Sequence, residues 1–263
     1  MIIYKSQSEI QAIRRANQVV AKILAELADK IRPGVETREL DRYAEKRTRE
    51  MGAIPAFKGY RGYPASLCTS INEEIVHGIP SARRLRNGDI LSIDFGAVLD
   101  GFYGDAATTF PVGRVSPEAQ RLIAVARESF YKGIEKAVPG NRIGDISAAV
   151  QQYVESQGFS VIRSFVGHGI GFSLHEEPQI PNFGIPGHGP KVKPGMVLAV
   201  EPMIALGNWD VEILTDNWTA ITRDRSLSAH YEHTIAVTRE GPEILSRLNG
   251  EADRASQKET LHA

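Results

Sequence analysis

The sequence predicts an α+β fold, a curved antiparallel sheet with helices on its convex face. Amphipathic helical stretches come in pairs, each pair broken by Pro-Gly and closed by Gly. Apolar strand-like runs follow each pair and meet at tight turns. The whole block then recurs at a constant spacing, which implies two halves built on one plan.

The elements follow in order. Ser6 and Glu9 have capping-box spacing, and Ile10, Ile13, Val20, Ile23, Leu24 and Leu27 keep a helical period, so a first helix runs until Pro33 and Gly34 stop it. Thr37 is expected to cap a second helix that ends at Gly52. Residues 90–95 and 97–99 read as strand on either side of Gly96, Asp100 and Gly101 as a hairpin turn, and 102–110 as the returning strand. Ser116 with Pro117 opens a third helix carrying Leu122, Ile123, Val125, Phe130 and Ile134, which Pro139 and Gly140 stop. Asp145 is expected to cap a fourth, through Ile146, Val150, Tyr153 and Val154 to Gly158. Residues 196–201, 220–222 and 233–237 complete the antiparallel set. The polar stretch 249–263 reads as a mobile tail.

Pro33-Gly34 matches Pro139-Gly140, Leu40 matches Ile146 and Gly52 matches Gly158, each shifted by 106. Pro-Gly is a common turn, but the ordered agreement favours an ancient duplication of a helix–helix–strand unit. Residues 1–248 are therefore expected to form a single catalytic domain of two duplicated halves, with a site at their pseudo-two-fold interface.

Composition narrows the function classes. At 263 residues, 42% hydrophobic and 24% charged, the chain has ordinary globular proportions. A net charge of −1 with scattered Lys and Arg gives no basic footprint for nucleic acid. The single cysteine, Cys68, excludes an internal disulfide and fits a reducing compartment. The first residues lack a basic segment followed by an apolar core, so no signal peptide is read, and no apolar run approaches the roughly 18 residues of a membrane span. A cytoplasmic monomer is expected.

The chemistry lies in Asp94, Asp105, His168, Glu201 and Glu232. Asp94 follows Ile90-Leu91-Ser92-Ile93, and Glu201 follows Met196-Val197-Leu198-Ala199-Val200. A carboxylate ending a buried strand must be paired, hydrogen-bonded or bound to a cation. Few Lys or Arg lie beside these positions, and four carboxylates against two dications sum to zero. Plainer readings stand beside this one. Asp105 after Gly104 has the look of a turn cap, Glu232 has Arg223 and Arg225 near it in sequence, and a lone His such as His168 is often structural. The run Gly167-His168-Gly169-Ile170-Gly171 hints at a dinucleotide loop, but Pro178 and Pro181 stand where its helix should begin. His175-Glu176 is no zincin motif, since Gln179 occupies the place of the second His. An oxygen-rich set with one imidazole suits Mn, Fe(II), Co or Zn.

These residues, in this order, resemble the dimetal set of the methionine aminopeptidases and related pita-bread enzymes. The local motifs that carry the resemblance are Ser70-Ile71-Asn72-Glu73, His77-Gly78-Ile79-Pro80, the Gly167–Gly171 run around His168, His175-Glu176-Glu177-Pro178, Lys193-Pro194-Gly195-Met196, Glu201-Pro202-Met203 and Tyr231-Glu232-His233-Thr234. The likeness runs from about residue 5 to 246 and is nearest to the type I bacterial enzymes. It implies a pita-bread fold and two divalent ions, with Asp105 and Glu232 bridging, Asp94 on one ion, and His168 and Glu201 on the other. It implies that Glu201 acts as general base for a metal-bridging hydroxide, and that His77 and His175 bind the scissile amide. A pocket of Tyr60, Tyr63, Cys68, His77 and Trp218 would take the side chain of residue one. The implied partners are nascent polypeptide N-termini beginning with methionine before a small residue, met at the ribosome. A monovalent cation is implied near Asn72 and Ser228. Phe57, Arg61 and Leu174 depart from common pocket residues of that family, and residues 182–190 read as a modified rim loop. The rival readings are a paralogue with altered specificity, an X-Pro dipeptidase of the same fold, and a non-catalytic pita-bread protein that binds ribosome or nucleic acid.

Overall fold

Helix α1 (Gln7–Ala28) begins at the predicted capping box, where the Glu9 carboxylate accepts the Ser6 N–H at 2.6 Å. This computed structural model describes residues 1–248, so the expectation of a mobile tail at 249–263 lies outside the described residues. The apolar stripe of α1 is buried, and the helix packs on the strands Ile90–Leu99 and Phe102–Pro111. Gly104 makes that approach possible: a Cβ there would lie 2.7 Å from the Asn17 nitrogen. Asn17 itself is fully buried and satisfied, donating to the Ile13 carbonyl at 3.0 Å and accepting the Asp105 N–H at 3.2 Å.

Two predicted caps are displaced. Helix α2 (Thr37–Glu50) has Glu36 as its N-cap, and Thr37 is its first residue. The Thr37 hydroxyl instead accepts the Ser81 N–H at 2.8 Å, so a tertiary partner captures the group that would have capped. Helix α3 (Pro117–Ile134) starts as expected, with Ser116 Oγ accepting the Ala119 N–H at 3.1 Å. Helix α4 (Ile143–Ser156) has Arg142 as its N-cap, and Asp145 lies one turn in. The Asp145 carboxylate reaches back to the Arg142 N–H at 2.7 Å, which still favours the positive end of the helix. Both α2 and α4 have 14 residues, and α4 begins 106 positions after α2. The short strands Ile54–Pro55 and Ser160–Val161 keep the same shift.

Among the described residues the main sheet has nine strands, every pair antiparallel. Its path runs Ile54–Pro55, Ile90–Leu99, Phe102–Pro111, Glu232–Val237, Val197–Val200, Val166–Gly169, Glu176–Pro181. Leu99 pairs with Phe102 across Asp100 and Gly101, both at positive φ (51° and 80°), which is the primed turn that fits strand twist. Gly96 does not interrupt the first of these strands, which is continuous. Ala220–Thr222, expected in this set, belongs instead to a separate sheet with Val211–Ile213 and Glu74–Val76. That small sheet presents His77 and Trp218 just beyond its strand ends. Among the described residues, no helix is long and apolar enough to cross a membrane.

Candidate metal centre and substrate cleft

Strand register places four of the five candidate ligands on one face, and Glu201 follows just past the end of Val197–Val200. Asp94 and Glu232 each lie opposite Ala107, one on either side of the central strand. Directly opposed residues share a face, and so do residues two apart on one strand. Asp105, two residues from Ala107, therefore joins Asp94 and Glu232. On the far side Ala199 lies opposite both Thr234 and His168. Thr234 shares the face of Glu232, so His168 shares it too, and Glu201 joins them through its side chain, which reaches His168. The middle of each row is alanine, which leaves room between the longer side chains on either flank. Asp94 and Asp105 are thus diagonal neighbours rather than directly opposed.

The side chains converge accordingly. Asp105, His168 and Glu232 offer ligand atoms all within 4.8 Å of one another. His168 Nε2 lies 3.4 Å from Glu201 Oε1 and 3.9 Å from Asp105 Oδ2. Asp94 and Glu201 line the same cavity. His168 Nδ1 donates to the Gly169 carbonyl at 2.9 Å, which fixes the tautomer and leaves Nε2 as a free lone pair facing the acids. The glycines around His168 serve packing. A Cβ on Gly167 would lie 2.4 Å from the Ala199 carbonyl oxygen, and one on Gly169 would lie 2.3 Å from that of Glu177. What the backbone passes closely is the neighbouring strands, not a phosphate.

These acids lack the partners that the plainer readings required. Asp105 lies mid-strand and caps no turn. Arg225 pairs with Glu212, not with Glu232. Asp94 Oδ1, Asp105 Oδ1 and Glu232 Oε1 are buried without a hydrogen-bond partner. Burial lifts Asp94 to about 7. Burial first, and then the charges of their neighbours, push Asp105, Glu201 and Glu232 well above the usual carboxylate range. Burial and the nearby His175 hold His168 at about 3, so its imidazole is neutral at physiological pH. Neutral imidazole beside crowded, unpartnered carboxylates is a donor set that fits divalent cations, and the lack of thiolates sets it apart from a structural zinc site.

A cavity of 280 Å³ opens beside the acids. Tyr60, Tyr63, Cys68, His77, His175 and Trp218 all line it, as do the departing residues Phe57, Arg61 and Leu174. His77 stands at positive φ (62°), edge-on to Phe165 and Trp218. Trp218 also meets Tyr63 edge-to-face at 5.1 Å. Burial pushes the Cys68 thiol up, with the Asp94 charge adding to it, which disfavours the thiolate that a nucleophile needs. His175 keeps an exposed edge at the mouth, yet desolvation by the surrounding protein, with Arg61 and His77 nearby, holds its imidazole at about 4. Its Nδ1 lies 2.8 Å from the Tyr60 hydroxyl, and its ring stacks obliquely on His168 at 4.3 Å.

The sequence reading missed Val76, Ser164, Phe165, Val166 and Met203, which complete the wall. Phe165 and Val166 adjoin the glycine run, so proximity to His168 was the available signal. The segment 182–190 is no rim of this cavity. It ties instead to α4, where the Ile143 N–H donates to Pro190 O and the Gly187 N–H to Asp145 Oδ1. Its one link to the site is Asn182, whose side chain donates to the Glu201 carbonyl at 3.0 Å. Asn72 and Ser228 meet outside the cavity lining, the Ser228 N–H donating to the Asn72 carbonyl at 2.8 Å.

The sequence profile of metallopeptidase family M24 matches residues 11–239. A methionine aminopeptidase of Clostridium perfringens is 54% identical over 248 residues, which is 94% of this chain and 100% of the relative. The crystal structure of a methionine aminopeptidase from Thermotoga maritima superposes with a TM-score of 0.93 at 46% identity, covering 94% of this chain and 100% of the other. A prolidase from Pyrococcus horikoshii shares the fold at a TM-score of 0.77 but is only 23% identical, and 64% of its chain is covered against 94% of this one.

Proposed function

The chain belongs to metallopeptidase family M24 and has its α+β pita-bread fold, and from that premise we infer that it removes the N-terminal methionine of polypeptide chains. The X-Pro reading loses ground because the prolidase likeness extends to the fold alone, whereas methionine aminopeptidases match along the whole chain. The non-catalytic reading loses ground because the buried Asp105, His168 and Glu232 group is intact.

The observation that carries the reading is the buried, cation-starved set of carboxylates at the head of an apolar cleft. We propose that Asp94, Asp105, His168, Glu201 and Glu232 would hold two divalent ions, Asp105 and Glu232 serving both, Asp94 one, and His168 and Glu201 the other. Mn, Fe(II), Co and Zn fit this oxygen-rich set. When bound, such ions supply an acidified water and positive charge beside the scissile carbonyl. Glu201 takes the proton that the attacking water loses and carries it toward the leaving amine. With the Tyr60 hydroxyl donating to His175 Nδ1, the single proton of the neutral ring sits on Nε2, free to donate to the scissile carbonyl oxygen. His77 closes the other side of the amide.

Tyr60, Tyr63, Cys68, His77 and Trp218 give residue one an apolar slot, and we expect a small second residue. Phe57, Arg61 and Leu174 tune that slot in this chain. A monovalent cation beside Asn72 and Ser228 would use the second lone pair of the Asn72 carbonyl. The shared shift of the helix pairs we take as a duplication, making one catalytic domain of two halves. We expect a cytoplasmic monomer acting on nascent chains at the ribosome. The test is release of free methionine from Met-Ala-Ser and Met-Pro-Ala peptides by chelated protein, then with Mn or Co restored. Release only with metal supports the reading, and metal-independent release defeats it.

A further inference from the structure

The segment between the strands Val166–Gly169 and Glu176–Pro181 carries Leu174 and His175 into the cleft, yet residues 170–175 have no strand ladder of their own. Backbone bonds hold its start, where the Ile170 N–H donates to the Val197 carbonyl at 3.1 Å and the Gly171 carbonyl accepts the Tyr103 N–H at 2.9 Å, and beyond them Glu176 gathers the turn. One carboxylate oxygen, Oε1, accepts the Phe172 N–H at 2.7 Å and the Ser173 N–H at 3.1 Å. The other, Oε2, is held by Lys5 Nζ, which comes from the residues just ahead of α1. The two side chains are 1% and 6% exposed. Lys5 is anchored in turn, its N–H donating to the Gly195 carbonyl at 2.7 Å. Its stem runs beneath the segment, where a Cβ on Gly171 would lie 2.5 Å from Lys5 Cε, and its ammonium sits 5.5 Å from the Phe172 ring.

A buried ion pair is a poor means of gaining stability, because desolvation offsets most of the attraction and apolar replacements are often as stable. What such a pair does supply is direction, since a carboxylate with three donors has one orientation. We propose that Lys5 and Glu176 are positioning residues for the reaction: their pair locks the segment 171–175 so that His175 meets both Tyr60 and the scissile amide, with Leu174 seated in the cleft wall. This rests on the reading of His175 given above.

The experiment measures kcat, KM, metal content and melting temperature for metal-loaded wild type, Glu176→Gln, Lys5→Met, the double variant and His175→Ala, with Met-Ala-Ser as substrate. A small displacement of a catalytic group costs about 10²-fold, so each single variant should lose about that much kcat while KM stays within about threefold and metal content is unchanged. The double variant should lose no more than either single one, as expected of two residues that act as a unit. Singles with kcat within about threefold of wild type, or losses that add, would overturn the proposal. So would loss of activity that only tracks loss of metal. An active His175→Ala would instead remove His175 from the mechanism, whatever the pair does, and loss in Glu176→Gln beside it would show the pair acting through another group. If Lys5→Met does not fold, Glu176→Gln decides, because its amide oxygen still accepts from Phe172 and Ser173. If neither folds, the pair is a folding determinant and the proposal falls.

Discussion

Two groups of carboxylates in this chain sit in opposite electrostatic surroundings. Glu26, on α1, accepts Arg47 through both oxygens at 2.8 and 2.9 Å and the Tyr43 hydroxyl at 2.8 Å. The Arg47 guanidinium holds it down at about 2. Asp94, Asp105, Glu201 and Glu232 have no Lys or Arg partner among the described residues, and burial drives their proton affinities up. An acid that ties two helices together brings its own cation from the chain. An acid buried without such a partner is costly to the fold, and under the proposed function its partner is a cation from outside.

That contrast can be broken in several places. Chelation should remove all activity, and Mn or Co should restore it. In metal-free protein the proton on Asp94 is stabilising, because its folded value of about 7 exceeds the ordinary carboxylate value. That contribution is full below about pH 4 and is lost as pH rises through about 7. Chelated protein should therefore melt several degrees lower at pH 8 than at pH 5.5, while loaded protein should not; an equal or higher melting temperature at pH 8 would sink the idea. Glu201→Gln should lower kcat by about 10²- to 10⁴-fold on Met-Ala-Ser with an unchanged circular dichroism spectrum. Near-native turnover would take Glu201 out of the mechanism.

Tyr60→Phe removes the partner of His175 Nδ1 and should cost kcat about tenfold, roughly the worth of one hydrogen bond. No change would mean that the ring is fixed by its stacking on His168 instead. The smallest effect belongs to Glu26→Gln, which should leave kcat alone and cost about 1 kcal/mol, since solvent screens the pair. Melting temperature should fall by about 2–4 °C at neutral pH. The difference should vanish only as pH falls toward 2, because a lowered carboxylate stabilises above its unfolded value and ceases to below its folded one. A drop in kcat here would mean that the helix pair couples to the cleft.

Much of this was legible before any coordinate. The capping box at Ser6, the turn at Asp100 and Gly101, and the helix stops are local, set by one or two residues and their neighbours, so sequence determined them. The same holds for the ligand candidates, because a carboxylate at the end of an apolar run is costly wherever the run lies. One cap went astray for a tertiary reason, since Ser81 claims the Thr37 hydroxyl; the other is a local displacement, since Arg142 takes the cap position and Asp145 serves it from inside the helix. Ala220–Thr222 joined another sheet because three short strands found a surface of their own.

The sequence by itself determined which residues were candidates for the chemistry and which elements bear them, because residue type, periodicity and spacing are local properties. Only the tertiary structure decided that Asp94 and Glu232 flank one alanine, that His168 offers Nε2 to the acids, and that Lys5 reaches Glu176. Strand register and burial join residues far apart in the chain, and no local preference encodes such a meeting.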